Sequence, residues 1–396
     1  MKEKMQRREF IIQIPKKGLI TYVGLLFTPA FANAANWQKV GGSTPRAEGI
    51  RLPIQSRRRT YATVTSYSAL RSDGVLISAT SFTGGAQSTF VAYTSVASVV
   101  SVASGGNTVI KSDGSIWARG DNSLGRLGTN NTTSTSTFIQ ATGISNAVAI
   151  GGFFNANIAL RSDGRIFGSG GNNYGQLGIN NVASRLTYVQ ATGISNAVSI
   201  ATGGLGHVLA LRSDGQVFAC GYGSAGVLGA GISGNKSTYV QVTGVSNAIG
   251  IACGNRHSLA LRADGLVFST GTNFAGQLGD STAGSRETFA QVPGLSNVVS
   301  IAAGGNASFA ILADGRVFGC GENANGELGF GNTNSYSSFV QVSGLSNIVS
   351  IASSGVNTFA LRSDGRLFAT GYNGFGELGI GNTTNQSSFV QTIGEY

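Results

Sequence analysis

Residues 220–229, CGYGSAGVLG, contain the glycine spacing G-x-G-x-x-G directly after an apolar, strand-like run. At a strand-to-helix turn, this spacing lets backbone N–H groups bind the pyrophosphate of a dinucleotide. Such a site also needs a helix after the glycines and an acidic residue about 20 positions later. Here a loop rich in Ser, Thr and Asn follows, and the next carboxylate after Gly226 is Asp264. The sequence therefore predicts no nucleotide site and no bound cofactor.

The same glycine pattern occurs in five further segments, so it belongs to an internal repeat. The shared pattern is G-x-[NG]-x-x-G-x-L-G, and one segment has Gly223 where the other five have asparagine. Because Asn and Gly both tolerate a left-handed backbone, we interpret this position as a backbone requirement. We also predict that the leucine is buried and holds the loop in place. The segments begin at Gly120, Gly170, Gly221, Gly271, Gly321 and Gly371, and their leucines are Leu127, Leu177, Leu228, Leu278, Leu328 and Leu378.

Histidine and cysteine, which often serve in catalysis and metal binding, are scarce in this chain. His207 and His257 occupy one position of the repeat, seven residues before an Asp-Gly pair. A catalytic group is not expected at a position that a structural repeat sets, so we predict structural histidines, no catalytic residue and no metal site. Cys220, Cys253 and Cys320 are too far apart for a disulfide framework and are predicted to be buried thiols.

Asp-Gly pairs mark the repeat at intervals of 40 to 51 residues, most of them 50. Each pair lies between two apolar runs, which is a strong hairpin signal because glycine accepts the positive φ of the turn. Each unit has four strand-like segments without helical periodicity, and seven such units predict an all-β, seven-bladed β-propeller over residues 57–396. We also predict that each aspartate caps its own turn. The aspartates are Asp73, Asp113, Asp163, Asp214, Asp264, Asp314 and Asp364.

The first 34 residues have the features of a signal peptide. A basic start is followed by an apolar run over residues 18–32 and by an A-N-A sequence that predicts cleavage after Ala34. The run is shorter than the about 20 residues of a membrane-spanning helix, and an anchor is the alternative. Residues 7–11, RREFI, resemble the twin-arginine motif, so this route and general secretion both stay open. We expect an exported bacterial protein, periplasmic or extracellular, with no stable membrane anchor after cleavage.

Residues 35–56 form a separate N-terminal segment, and the sequence leaves open whether it pairs with a blade or is loose. The formal net charge of the chain is +10, but the leader carries six of the 27 basic and two of the 17 acidic residues. The mature chain therefore has a net charge of +6, and its only run of basic residues is at positions 57–59. Since nucleic-acid binding usually requires concentrated positive charge, we predict no nucleic-acid partner, and we expect a monomer.

The repeat resembles that of the regulator of chromosome condensation (RCC1) family. The resemblance is carried by residues 251–279, IACGNRHSLALRADGLVFSTGTNFAGQLG; six units from Val99 onward match well and residues 61–93 match weakly. The family implies a seven-bladed propeller. Its eukaryotic founder is a guanine-nucleotide exchange factor on chromatin, and another member is a secreted bacterial inhibitor that binds β-lactamases across one face of the ring. The fold by itself does not decide between such functions.

Two groups of side chains are candidates for binding a partner. The position two residues before each turn aspartate is basic in six of seven units, so it could form a positive ring, although pairing with the aspartates would cancel much of the charge. The loops after G-x-L-G differ most between units, and their polar residues suit adaptable contacts. The first group is Arg71, Lys111, Arg161, Arg212, Arg262 and Arg362, and the second is Arg185, Lys236, Arg286 and Tyr336.

These observations lead to three hypotheses about function. The first is a secreted, non-enzymatic propeller that binds another macromolecule, expected to be a protein, through loops on one face. The second is an enzyme that acts on extracellular polysaccharide in the central channel, which requires clustered acids that break the repeat symmetry. The third is guanine-nucleotide exchange by analogy with the RCC1 family, which export would argue against.

Overall fold

The computed structural model describes residues 61–64, 68–71, 75–78, 91–93 and 96–393, the last range without 104, 105, 154 and 232. The predicted signal peptide, its cleavage site and the segment 35–56 lie outside these residues. The described chain forms 28 strands in seven four-stranded antiparallel sheets, each with its strands in sequence order. One 3-10 turn, Ser224–Gly226, is the only helical element of the described residues. Within them, no helix is long and apolar enough to cross a membrane.

The seven sheets fall into two kinds, a short N-terminal sheet and six full blades, which we number 1 to 6. The short sheet consists of β1 (Tyr61–Val64), β2 (Ser68–Arg71), β3 (Leu76–Ser78) and β4 (Val91–Tyr93). Blade 1 consists of β5 (Val99–Val102), β6 (Thr108–Lys111), β7 (Ile116–Gly120) and β8 (Thr135–Gln140). Blade 2 consists of β9 (Ala147–Phe153), β10 (Ala156–Arg161), β11 (Ile166–Gly170) and β12 (Arg185–Gln190). Blade 3 consists of β13 (Ala197–Thr202), β14 (His207–Arg212), β15 (Val217–Gly221) and β16 (Lys236–Gln241). Blade 4 consists of β17 (Ala248–Cys253), β18 (His257–Arg262), β19 (Val267–Gly271) and β20 (Arg286–Gln291). Blade 5 consists of β21 (Val298–Gly304), β22 (Ala307–Leu312), β23 (Val317–Gly321) and β24 (Tyr336–Gln341). Blade 6 consists of β25 (Ile348–Ser353), β26 (Asn357–Arg362), β27 (Leu367–Gly371) and β28 (Gln386–Gln391).

The number of full blades corrects the sequence prediction. Every blade from 1 to 6 has the G-x-[NG]-x-x-G-x-L-G loop after its third strand, whereas the short N-terminal sheet lacks it and has strands of only three or four residues. This sheet lies between blades 6 and 1, since β1 contacts β25 and β26 and β2 contacts β5. The predicted seven blades of one repeat are therefore wrong, because six sheets are full blades and residues 61–93 are too short and too divergent to make another.

The Asp-Gly pairs of the six full blades form the turns between the second and third strands, as predicted, while Asp73 lies outside the described residues. In the turn of blade 4, Oδ1 of Asp264 accepts a hydrogen bond from the backbone N–H of Leu266, and Gly265 has a φ of +79°. The aspartates of the other five full blades accept the equivalent bond at 2.9 to 3.2 Å. The aspartate caps its turn while glycine supplies the left-handed backbone, which explains why this dipeptide recurs.

Apolar side chains fill the space between neighbouring blades. The first strands of successive blades contact one another, so they surround the central axis. One core cluster joins Ile158 of blade 2 to Val208 of blade 3, and another joins Leu211 of blade 3 to Ala260 of blade 4. The six loop leucines have at most 1% of their surface exposed, which confirms that they are buried. Each blade is thus covered on both sides, which removes the need for strict alternation of apolar and polar residues.

We call the G-x-[NG]-x-x-G-x-L-G segment the corner loop; its asparagine corrects our backbone interpretation. Asn373 is fully buried and its φ is not positive. Its Oδ1 accepts a hydrogen bond from the backbone N–H of Leu378 at 2.8 Å, and its Nδ2 donates to the carbonyl oxygens of Asn382 and Thr384 at 2.9 and 3.1 Å. The asparagines of blades 1, 2, 4 and 5 make the same kind of bonds. In these five blades the asparagine therefore acts through its side chain, which ties both halves of the loop together.

This role predicts that glycine cannot replace asparagine in the corner loop of blade 6. We expect Asn373→Gly and Asn373→Ala both to lower the free energy of unfolding by roughly 3 kcal/mol, because buried backbone groups lose their partners. A purely conformational role would leave Asn373→Gly close to wild type. Denaturant unfolding of the two variants measures the difference, and a neutral glycine variant would contradict our assignment.

Candidate functional site

The strand register places the two predicted groups of binding residues at opposite ends of the blades. In blade 3, Leu211 pairs with Val217 next to the Asp-Gly turn, whereas Gly221 pairs with both His207 and Lys236 at the other end. We call the end with the Asp-Gly turns the hairpin face and the end with the corner loops the corner-loop face. The basic residues before the aspartates belong to the hairpin face, and the residues that start the fourth strands belong to the corner-loop face. The structure therefore does not bring the two groups together.

On the hairpin face, the basic side chains are held by neighbours of their own blade. Arg262 forms an ion pair with Asp264, and its guanidinium lies 5.1 Å from the ring centroid of Phe268. In blade 5, where Leu312 replaces the basic residue, Arg316 takes over both contacts, with Asp314 and Phe318. The same ion pair and ring contact involve Arg161, Arg212 and Arg362.

These contacts neutralise much of the predicted positive ring. Lys111 differs in that its Nζ lies 4.9 Å from the ring of Trp117, while Arg71 ends β2 and its side chain is outside the described residues. The hydrogen bond from Arg262 and the charge of this arginine lower the pKa of Asp264, so both groups stay charged at neutral pH. Exposed cation–π contacts and surface ion pairs of this kind add little to stability because solvent screens them. The hairpin face is thus a row of self-paired arginines, and a role in binding a partner stays a prediction.

At the corner-loop face, the four predicted residues are the first residues of their fourth strands. Arg286 forms an ion pair of 2.6 Å with Asp280, whose side chain is 1% exposed. Burial alone would raise the pKa of Asp280, but hydrogen bonds from Thr282 and the charge of Arg286 hold it below its ordinary value. Arg286 is thus part of the loop structure.

The other three residues of this group contact mainly their own loops. Tyr336 packs edge-on against Phe330 at 4.9 Å and accepts a hydrogen bond from Asn332. Arg185 donates to the carbonyl oxygen of Ser184 at 3.2 Å, and Lys236 is half-buried. Their loops are therefore folded on themselves, and none of these four side chains dominates the surface.

The residues that dominate this face were missed from the sequence. The tip of the corner loop exposes a large apolar side chain in four of the six blades. Phe274 is 81% exposed, Phe375 63%, Tyr174 42% and Leu124 38%. Each directly precedes the central glycine of its loop or lies one residue further back. A large apolar residue in an otherwise polar, glycine-rich turn was the available signal, because such turns do not require it.

A depression of 380 Å³ lies beside the most exposed of these rings. It is lined by Phe274 and Gln277 of the corner loop of blade 4, by Asn306 and Glu322 of blade 5, and by Arg256. Leu205 of blade 3 completes the apolar part. The exposed rings and this depression make the corner-loop face the candidate binding surface.

The residues around the axis offer little for catalysis. The first strands of the six full blades contain no acidic, basic or histidine side chain. His207 and His257 are fully buried in the second strands. Burial lowers the pKa of His207 to about 4, and burial together with the neighbouring His207 lowers that of His257 to about 3. Within the described residues, no group of three His, Cys, Asp or Glu side chains is placed to hold a metal ion.

The three cysteines are buried and unpaired, as predicted. Burial raises the pKa of the Cys220 and Cys253 thiols to about 12 and that of the Cys320 thiol well above its ordinary value. These side chains are therefore neutral thiols that pack between blades.

Six full blades with four antiparallel strands each make this protein a β-propeller built from one repeated unit. Residues 214–377 consist of repeats of the regulator of chromosome condensation (RCC1) family. The RCC1 repeat model matches residues 214–261, 264–311 and 314–361, and a second model of the same repeat matches residues 248–277, 298–327 and 348–377. No curated protein matches the sequence.

Several solved structures share the fold at low sequence identity. Human WBSCR16 has a TM-score of 0.70 and 23% identity over 78% of this chain and 84% of its own. Yeast RCC1 (Prp20) bound to Kap60 has a TM-score of 0.71 and 20% identity over 89% of this chain and 91% of its own. Prp20p of Saccharomyces cerevisiae has a TM-score of 0.72 and 20% identity over 84% of this chain and 87% of its own. Its structure is described together with its binding to Gsp1p and histones. These likenesses establish the fold.

Proposed function

We propose that this protein is a non-enzymatic scaffold that binds another protein across the corner-loop face. The observation that carries this proposal is the exposure of a large apolar side chain at the tips of four of the six corner loops, those of blades 1, 2, 4 and 6. Exposed aromatic residues that cluster on one face are typical of protein interfaces, where they contribute most of the binding energy. The solved relatives are consistent with such a role, since yeast RCC1 binds Kap60 and Prp20p is described with Gsp1p and histones.

Catalysis in the channel has no comparable support among the described residues. A glycosidase would need two carboxylates on either side of the scissile bond. The first strands around the axis carry none, and the acids of the corner-loop face are largely engaged in their own loops. We also propose that the protein acts outside the cytoplasm, on the strength of the basic start, apolar run and A-N-A sequence of residues 1–34.

The proposal predicts that removing two exposed rings abolishes partner binding without affecting the fold. The mature chain serves as bait for proteins of the extracellular fraction. We expect Phe274→Ala combined with Phe375→Ala to weaken capture of the partner at least tenfold, since a buried aromatic anchor contributes about 2 kcal/mol or more. The unfolding free energy should change by less than about 0.5 kcal/mol, because neither ring is buried.

Val182→Ala is the matched control, since Val182 is 58% exposed but lies in the variable loop after a corner loop. This variant should capture the partner as well as wild type. Equal capture by the double variant would contradict the proposal, as would hydrolysis of an extracellular polysaccharide by a chain that captures no protein.

A further inference from the structure

Hydrogen bonds connect the polar residues that line the depression beside Phe274. Gln277 is 1% exposed, its Oε1 accepts a hydrogen bond from the backbone N–H of Ala275 at 2.9 Å, and its Nε2 donates to Oδ1 of Asn306 at 3.4 Å. Nδ2 of Asn306 in turn donates to Oε2 of Glu322 at 2.9 Å. This chain of bonds joins the corner loops of blades 4 and 5 across the blade boundary. The depression is therefore formed before any partner arrives, which lowers the entropic cost of binding.

The exposed ring of Phe274 is the aromatic part of the lining of the depression. Phe274 is the most exposed large apolar side chain of the described residues. Covering such a ring with an apolar side chain of a partner removes a substantial apolar area from water, and aromatic pairs gain additional energy from ring contacts. This ring therefore favours an apolar, preferably aromatic, side chain.

The charge next to this ring is a free cation. Arg256 is exposed, and in the described part of the chain its side chain forms no ion pair or hydrogen bond, in contrast to the arginines of the hairpin face. The nearby carboxylate of Glu322 already accepts a hydrogen bond from Asn306, so it is partly satisfied. The N–H donors of the Arg256 guanidinium group therefore remain available for a carboxylate. A carboxylate can bind this group through two parallel hydrogen bonds.

We propose that the depression is an anchor site for an acidic partner segment, in which an aromatic side chain packs on Phe274 and a neighbouring carboxylate pairs with Arg256. This inference rests on the proposed function, because it names the partner chemistry for one part of the corner-loop face. It excludes a basic segment, which would bring a second cation against Arg256.

Four synthetic peptides of equal length test this chemistry. They share Gly-Ser flanks and carry Phe-Asp, Phe-Lys, Ala-Asp or Ala-Lys at the centre, and fluorescence polarisation measures their affinity for the full chain. We expect the Phe-Asp peptide to bind roughly tenfold more tightly than either the Phe-Lys or the Ala-Asp peptide. In Arg256→Glu the preference between Asp and Lys should reverse, and in Phe274→Ala the preference for Phe over Ala should disappear.

Val182→Ala is the matched control, because Val182 is an exposed apolar side chain that does not line the depression, and this variant should leave all four affinities unchanged. Equal binding of the Asp and Lys peptides would overturn the inference, as would a loss caused by Val182→Ala but not by Phe274→Ala. No binding of any peptide up to about 1 mM would also overturn it. If partner capture still requires Phe274 and Phe375 in that case, the proposed function stands and only the anchor chemistry fails.

Discussion

Replacing Gly276 by alanine is expected to lower the free energy of unfolding by roughly 3 to 5 kcal/mol. Gly276 has a φ of +80°, and a Cβ atom there would lie 2.5 Å from Cα of Ser337 and 2.8 Å from the carbonyl oxygen of Tyr336. Left-handed strain costs about 1 to 3 kcal/mol and overpacking a similar amount. Both contacts are backbone or close to it, so no side chain can rotate away to make room.

Substitutions at two other glycines separate the cost of left-handed backbone strain from the cost of overpacking. Gly294 has a φ of +77° with nothing within 4 Å of the added Cβ, so Gly294→Ala should cost about 1 to 2 kcal/mol from strain alone. Gly284 also has open space and no positive φ, and Gly284→Ala should be nearly neutral. Denaturant unfolding of the three variants measures the order, and a Gly276→Ala protein no less stable than Gly294→Ala would contradict the proposed contact between blades.

The same geometry explains why the glycine spacing imitates a nucleotide-binding turn. Ser337 belongs to β24, the fourth strand of the next blade, so the central glycine of the loop lies where the backbones of two blades come close together. The glycine spacing therefore serves backbone packing between blades, and the chain after it enters a loop. The central glycines of four other blades contact the next fourth strand in the same way, at Gly125, Gly175, Gly226 and Gly326.

Lowering the pH from 7 to 4 is expected to remove roughly 6 kcal/mol of stability through His207 and His257. Burial lowers the pKa of these side chains in the folded protein to about 4 and about 3, against 6.5 for an accessible histidine. Below pH 6.5 the unfolded chain therefore binds two protons that the folded protein does not accept. Stability is complete above this pH and falls as the pH decreases toward the folded pKa values, by about 1.4 kcal/mol per pH unit for each histidine.

The repeat itself supplies the control for this prediction. Asn357 occupies the equivalent position of blade 6 and is fully buried, so the fold accepts asparagine there. The variant His207→Asn with His257→Asn should unfold with a much flatter pH dependence between pH 7 and pH 4, and each single variant should lie in between. The difference in unfolding free energy between variant and wild type at each pH isolates the contribution of the histidines. Carboxylates such as Glu327, whose pKa is raised by burial, contribute equally to both proteins. Parallel pH profiles would show that the histidines are not protonated on unfolding.

Local sequence patterns were sufficient to predict the elements of each blade. A turn such as Asp264-Gly265 depends only on adjacent residues, so its hairpin and its capping hydrogen bond could be expected directly. The buried leucine of each corner loop was also predictable, because a large apolar residue recurring in a polar loop must find a core. The blade count was overestimated because residues 61–93 show strand-like runs and an Asp-Gly pair but lack the loop that completes a blade.

The sequence by itself determined the repeat, the strand order and the turns of this protein, while the tertiary structure decided which side chains are available. Asn373 and Arg262 illustrate the difference, since the first is occupied by carbonyl groups of its own loop and the second by an aspartate and an aromatic ring. Phe274 and Arg256, 18 positions apart in the chain, meet at one depression only because the corner loop folds back beside the turn between the first two strands. A one-dimensional period fixes distances along the chain, but exposure and contact depend on how each blade packs against the next.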